Sequence, residues 1–480
     1  MVKEGNPLHP VTMSRRALLA GAGATMALPT LARTAGDADP WALAAAIVAR
    51  VRPPVFADRD FPITHCGARG DGRTRADAAI HAAIAACVAA GGGRVVVPAG
   101  DYLTGPIRLR SNVNLHLEEG AHLRFSTDPS DYPLVHTRWE GMELMNYSPL
   151  LYAYRERNVA ITGKGIVDGQ GDESHWWRWK GSWHGTVENG WRKGEPDQTP
   201  ARNRLLDMVA RGTPLQQRVF GEGAYLRPPL IQPYGCENVL IENVKLRGSP
   251  FWQVHPVLCR NVLVRGLDIL GHGPNNDGCD PESCRDVVIE DNVFDTGDDC
   301  IAIKSGRNQD GRRFNIPSEN IVVRNCRMKQ GHAGIAIGSE ISGGVRNVFG
   351  ERNRMDDPEL WYALRFKNNA MRGGVLEQLH FRDIEVGTVG KAAIACDFNY
   401  EEGPHGPYKP ILRDITVDRL NVANCKRVLD AQGLAGAPVE RLTIRDSHFA
   451  GVNEPSIVRY VEGLALKGVT VNGRPANSLT

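Results

Sequence analysis

One phrase keeps returning along this chain, and it limits what the chain can fold into. The phrase is Asn or Asp, then alternating apolar residues, then Gly or Asn. It reads "NVNLHL" from Asn112, "NVAITG" from Asn158, "NVLIENVKLRG" from Asn238 and "NVLVRGLDILG" from Asn261. It continues as "DVVIEDNVFDTG" from Asp286 and "NIVVRNCRMKQG" from Asn320, with weaker copies from Leu379, Leu412, Val439 and Val461. The spacings of 23 and 25 residues (238 to 261, 261 to 286) set the period, and the 34-residue gap to 320 is one turn plus an inserted loop. A period in the low twenties built from short alternating strands marks a solenoid. A unit this small cannot bury its own apolar face, so stacked coils must share one core. The phrases are rich in Val and Ile and lack the LxxLxL of a leucine-rich repeat. The expected fold is therefore all-β: a single-domain right-handed parallel β-helix, with equivalent residues of successive coils stacked in columns. "GCENV", "LCRNV" and "SCRDV" place Cys236, Cys259 and Cys284 two residues before the phrase each time. These read as small ladder residues, because buried thiols pack as small hydrophobes.

Two segments break the pattern. "DAAIHAAIAACVAAGGG" has Ile80, Ile84, Cys87 and Val88 at helical spacing before a glycine stop, which predicts an N-terminal helix capping the open end of the core. Residues 172–230 form a Trp-rich insertion with Trp176, Trp177, Trp179, Trp183 and Trp191. Most of these rings are expected to pack the insertion onto the coil, with stacking on sugar rings as the alternative. The first 35 residues carry Arg15-Arg16 and then a modestly apolar Ala/Gly run, and read as a twin-arginine signal peptide cut after Ala32. Residues 36–59 read as a linker or N-terminal segment and 60–480 as the β-helix domain. The protein is then expected in the periplasm or secreted, with no membrane attachment after signal removal. A net charge of +2 provides no global field for nucleic acid or a polyanion, so an acidic ligand must be met by local basic groups. None of the ten cysteines forms a CxxC pair or sits with His at zinc spacing.

Candidate chemistry sits in the acids. Asp277 lies 21 residues before Asp298, close to one coil, and Asp299 follows directly. Three carboxylates could therefore meet on one face of neighbouring coils, about 4.8 Å apart along the axis. Carboxylates this close cannot all ionise freely, which is the physics of a general acid beside a base. One carboxyl giving a proton and another activating water is what glycosidic hydrolysis requires, with about 6.5–9.5 Å between them in an inverting enzyme. "QGHAGIAIGSE" places His332 in a Gly-flanked turn. Arg365 and Lys367, at i and i+2 in "LRFKNN", would share one strand face and suit an anionic ligand.

The sequence resembles glycoside hydrolase family 28, the polygalacturonases, which is marked by four ordered motifs: Asn-Thr-Asp, Gly-Asp-Asp, Gly-His-Gly and Arg-Ile-Lys. Here they read Asn275-Asn276-Asp277, Gly297-Asp298-Asp299, Gly331-His332-Ala333 and Arg365-Phe366-Lys367. The likeness covers about residues 60 to 470 and includes the opening "HCGARGDGRTRADAAIHAAIAAC". It implies inverting hydrolysis of α-1,4 galacturonic acid links in a pectic polysaccharide or oligogalacturonide, with no metal and no cofactor. By that likeness Asp298 would protonate the glycosidic oxygen. Asp277 and Asp299 would activate the water, and His332 would tune the acid. Asn275, Arg365, Lys367 and Tyr400 would bind substrate. Ala333 replaces a glycine; were that position left-handed, alanine would add about 1 kcal/mol of strain.

Three alternatives are open at this point. A rhamnogalacturonan or substituted pectin would need the same hydrolytic set. A pectate lyase would use the three acids to hold calcium. A sugar-binding β-helix would need no such set. The loop Arg307–Asn320, carrying Arg307, Arg312 and Arg313, and the Trp-rich insertion both suggest a closed site acting on chain ends.

Overall fold

A computed structural model describes residues 39–183 and 191–479, and Pro40–Thr480 form one unit. The signal peptide expected over residues 1–35, with its cleavage after Ala32, lies outside the described residues.

The repeat phrases stack as parallel strands in a 26-stranded sheet. In one column Val239 aligns with Val262, then Val287, Ile321, Val348, Leu379, Ile415 and Leu442. All of these side chains are buried, so each coil covers the apolar face of the next. Parallel strands joined by return connections in one sheet wind right-handed in nearly all proteins. A second face is a six-stranded sheet, in the order Ile301–Ile303, Gly331–Ile337, Leu360–Lys367, Ala392–Asp397, Arg427–Gln432 and Ile457–Arg459. The architecture is the expected parallel β-helix.

The Asn that opens each phrase has a physical reason. Asn112, Asn158, Asn238, Asn261, Asp286, Asn320 and Asn347 all have φ between 52° and 63°, the left-handed region that Asn and Asp tolerate best after Gly. Their side chains then bond up the stack: Asn158 Nδ2 donates to Asn112 Oδ1 (2.8 Å), Asn238 to Asn158 (2.8 Å) and Asn261 to Asn238 (2.7 Å). The thiol column behaves as expected. The Cys236 N–H points at Cys259 Sγ and the Cys259 N–H at Cys284 Sγ, both at 3.4 Å, and the Cys284 N–H donates to Ser318 Oγ (3.1 Å). All ten cysteines are free thiols.

A helix α1 (Pro40–Arg50) occupies the segment read as a linker. Its Trp41, Ala44 and Ile47, with Val51, pack outside the sheet against Ala160, Leu240, Leu263, Val288, Val322 and Phe349. The cap helix is α2 (Asp77–Ala89), which buries Ala79, Ile80, Ala83, Ile84 and Cys87 in the main core. Val88, expected on that face, is instead exposed.

The Trp-rich insertion carries helix α3 (Thr199–Ala210), and α4 (Asn308–Phe314) lies in the later loop. Residues 184–190 of the insertion are outside the described set. Trp176 is buried, Trp177 and Trp179 pack against the main core, Trp177 Nε1 donates to the Ser249 carbonyl (2.9 Å), and Trp191 Nε1 to Pro196 (2.9 Å). Trp176, Trp177 and Trp179 hold the insertion to the coil, whereas the Trp191 bond to Pro196 stays within it. An antiparallel hairpin (Leu134–Trp139 with Met142–Tyr147) turns through Glu140 and Gly141, both at positive φ (43° and 76°). A two-residue turn of that kind matches the strand twist, but Glu140 bears strain there that a glycine would not.

Candidate active site

The coil register brings the acids together. Gly278 N–H donates to the Asp299 carbonyl (3.0 Å), Cys279 to Cys300 (3.1 Å) and Cys300 to Ala333 (2.8 Å), while His332 N–H donates to the Asp298 carbonyl (3.1 Å). Residues 277, 298–299 and 332 therefore occupy three successive coils. One oxygen from each of Asp277, Asp298 and Asp299 lies within 4.8 Å of the others. His332 lies on the strand Gly331–Ile337, not in a turn. Ala333, in the same strand, is buried and is not among the residues at positive φ, so the expected strain does not arise.

Each acid has a different partner. His332 Nδ1 sits 2.8 Å from Asp298 Oδ1, with both side chains partly exposed. Lys367 Nζ donates to Asp299 Oδ2 (2.6 Å) in full burial. Lys304 Nζ lies 3.6 Å from Asp277, 3.5 Å from Asp280 and 3.2 Å from Glu340. These partners split the proton affinities. Burial pushes the Asp277 carboxyl well up, and the charges of Asp280 and Asp298 push it further, against the pull of Lys304. Asp280 is likewise raised by burial. Burial would raise Asp298 as well, but the His332 ring beside it, with Lys367 and Lys304, holds it well below the carboxylate range. Crowding and burial therefore raise Asp277 and Asp280, while the contact with His332 and the nearby lysines lower Asp298.

Five polar atoms of these acids and His332 are buried with no hydrogen-bond partner among the described residues: Asp277 Oδ1, both oxygens of Asp280, Asp299 Oδ1 and His332 Nε2. Native proteins leave few such atoms unpaired, and they concentrate where chemistry needs them. The three acids could also be read as metal ligands. Calcium takes six to eight oxygens. Here Lys304 and Lys367 already pair with Asp277 and Asp299, and His332 occupies Asp298, so the donor set fits a cation poorly.

Arg365 and Lys367 do share a face of the strand Leu360–Lys367. Arg365 approaches Asp397 only at 4.0 Å, and its Nε has no partner among the described residues. Tyr400 lies between the two cations, with its ring centroid 5.5 Å from the Arg365 guanidinium and 5.3 Å from Lys367 Nζ. Burial pushes the Tyr400 phenol up to about 12. Asn275 sits at φ 55° and accepts a bond from the buried Arg227 (2.8 Å). A cavity of about 130 Å³ opens over the acids, and Asn275, Lys367 and Tyr400 line it. It is smaller than the roughly 300–1,000 Å³ that holds a drug-sized ligand.

Several groups in this site escape sequence reasoning. Arg307 lines the cavity as expected, but it is buried and bonds Glu140, which is 167 residues away (2.8 Å). Arg312 and Arg313 do not line it. Arg312 stacks on Tyr408 and Arg313 bonds Glu143. Trp361 stacks on His332 with ring centroids 4.0 Å apart, and Lys391 Nζ sits 3.5 Å from the Trp361 centroid. Asp280 and Lys304 had a signal: an acid three residues after Asp277, and a lysine ending the buried run "CIAIK".

Residues 222–461 match the family described as Glycosyl hydrolases family 28, and residues 61–116 match one described as Rhamnogalacturonase A/epimerase, pectate lyase-like. A solved exopolygalacturonase from Thermotoga maritima is 42% identical, with a TM-score of 0.86, covering 90% of this chain and 96% of that one. A probable polygalacturonase of Vitis vinifera is 29% identical over 427 residues, 84% of this chain and 77% of its own length. The exo-poly-alpha-D-galacturonosidase of Dickeya chrysanthemi is 29% identical over 363 residues, 71% of this chain and 57% of its own length. The chain belongs to glycosyl hydrolase family 28.

Proposed function

We propose that this protein is an exo-acting polygalacturonase, which hydrolyses α-1,4-linked galacturonic acid from the ends of pectic chains. The observation that carries this is the trio of carboxylates within 4.8 Å, with His332 on Asp298, facing a small cavity. The similarity to exopolygalacturonases over most of the chain supports it.

The geometry supports the following division of labour. Asp298 passes to the glycosidic oxygen, as the C–O bond breaks, a proton handed to it across its 2.8 Å contact with His332. A water between the unpaired oxygens of Asp277 and Asp299 attacks the anomeric carbon, and Asp299, ion-paired to Lys367, takes its proton. Arg365 and Tyr400 hold a galacturonate carboxylate and ring. The likeness to family 28 favours inversion at the anomeric carbon. Chain-end action is supported by the walls of the cavity, to which both insertions and the hairpin turn contribute: Lys180 and Arg202, Arg307, and Glu140. We assign residues 60–480 as the catalytic β-helix, with residues 172–230 as an insertion in it. The twin-arginine reading of residues 1–35 favours export to the periplasm or beyond. No helix among the described residues is long and apolar enough to cross a membrane.

The test is a digest of polygalacturonate followed by viscosity, chain length and proton NMR of the first product. Slow viscosity loss with early monomer or dimer, released as the β-anomer, is the expected result. Rapid viscosity loss would overturn exo action, and a first-formed α-anomer would overturn inversion. Activity confined to rhamnogalacturonan would overturn the substrate.

A further inference from the structure

The cavity over the acids is lined by six carboxylates and five Lys or Arg cations. Such a lining repels an anion unless one cation is available to it. Four of the five are engaged. Lys304 faces three acids, Lys367 is bonded to Asp299, and Arg202 and Arg307 both hold Glu140 (2.7 and 2.8 Å). Lys180 has no hydrogen bond or ion pair among the described residues. Burial in the cavity wall pushes its ammonium below the ordinary lysine value, against the fields of Glu140 and Asp298. A half-buried ammonium without a counter-ion is costly, and an arriving carboxylate relieves that cost.

Its mounting is firm. Lys180 ends the short turn Trp177–Lys180, which is tied down on both sides. Trp177 Nε1 donates to the Ser249 carbonyl (2.9 Å), the Trp179 ring packs on the core, and Gln198 N–H donates to the Trp179 carbonyl (2.8 Å). The side chain is therefore presented from a fixed base in the insertion, on an element separate from the strand that carries Arg365 and Lys367. Lys367 is committed to Asp299, which leaves Arg365 and Lys180 as the cations able to grip two uronate carboxylates.

We infer that Lys180 is the specificity-determining residue for the terminal sugar: its ammonium binds the carboxylate of the end galacturonate and selects an acidic sugar over a neutral one. This rests on the exo-polygalacturonase reading. A hydrogen bond to a charged group contributes about 1.5–3 kcal/mol, which corresponds to about 10–150-fold in affinity.

The test compares wild type, Lys180→Met and Lys180→Arg on trigalacturonate and on the same trimer methyl-esterified at its non-reducing-end carboxyl. Lys180→Met is expected to raise KM for the free acid about 10–150-fold with a smaller change in kcat, and Lys180→Arg to recover most of it. On the esterified trimer, wild type and Lys180→Met are expected to converge. An unchanged KM for the free acid in Lys180→Met would overturn the inference, as would an equal loss on both trimers. Wild type inactive on both would overturn the exo-polygalacturonase reading, and this inference with it.

Discussion

Two faces of the same coil stack residues at the same spacing and fill their columns in opposite ways. On the long sheet, the column from Val239 to Leu442 is aliphatic and fully buried, and any one position resembles the next. On the six-stranded face and the turns that feed it, two neighbouring columns, Asp277 with Asp299 and Asp298 with His332, carry ionisable side chains instead. The backbone cannot tell these columns apart. What differs is compensation. Apolar residues compensate each other within one column, whereas buried charges need partners brought from elsewhere: Lys304 from the neighbouring coil, Lys367 from two coils on, and Glu140 from the hairpin.

The largest effect should come from breaking the charged column. Lys304→Met leaves Asp277, Asp280 and Glu340 without their shared cation, and truncating one partner of a buried ion pair typically costs about 3–5 kcal/mol. Urea denaturation should register that loss together with a collapse in kcat. In the apolar column, Leu442→Ala should cost about 2–5 kcal/mol and leave kcat unchanged, because the cavity lies on the other face. Loss of kcat by a folded Leu442→Ala would contradict the separation of the two faces.

A subtler prediction sharpens the contrast through pH. Asp280 is raised above its ordinary value of 3.8, so the fold holds its proton and gains stability below the unfolded value. That gain is lost as pH rises through the folded value, because the unfolded chain then binds fewer protons. Asp280→Asn mimics the neutral acid, so its melting temperature should match wild type near pH 4 and equal or exceed it at pH 7. A variant that melts far lower at pH 7 would show that Asp280 is charged in the fold. The smallest effect belongs to the Asn column. Asn261→Ala, at φ 54°, should cost about 1–2 kcal/mol, and Asn261→Gly much less on that count.

The two columns also explain what was legible in the sequence. Asn261, Val262 and Val264 announce a coil because periodicity is local, and the cap helix Asp77–Ala89 shows in its own spacing. The helix Pro40–Arg50 is not legible in the sequence although Trp41, Ala44 and Ile47 carry a helical stripe; its partners are spread over six coils, so no neighbouring residue predicts the docking. Asp277, Asp298, Asp299 and His332 stood out as motifs. The opposite shifts of Asp277 and Asp298 did not, since these depend on Lys304, Lys367 and Asp280 meeting them across coils. The stack of Lys391 on Trp361 on His332 likewise exists only after folding.

The central claim is that the acid column performs hydrolysis with Asp298 as proton donor. The direct test is trigalacturonate turnover by wild type and Asp298→Asn in excess chelator, with thermal melts to confirm that both fold. The account predicts chelator-resistant release of saturated galacturonate and a fall in kcat of about 10²–10⁴-fold in the variant, at an unchanged melting temperature. Unsaturated products that require calcium, or a folded Asp298→Asn that turns over like wild type, would contradict it.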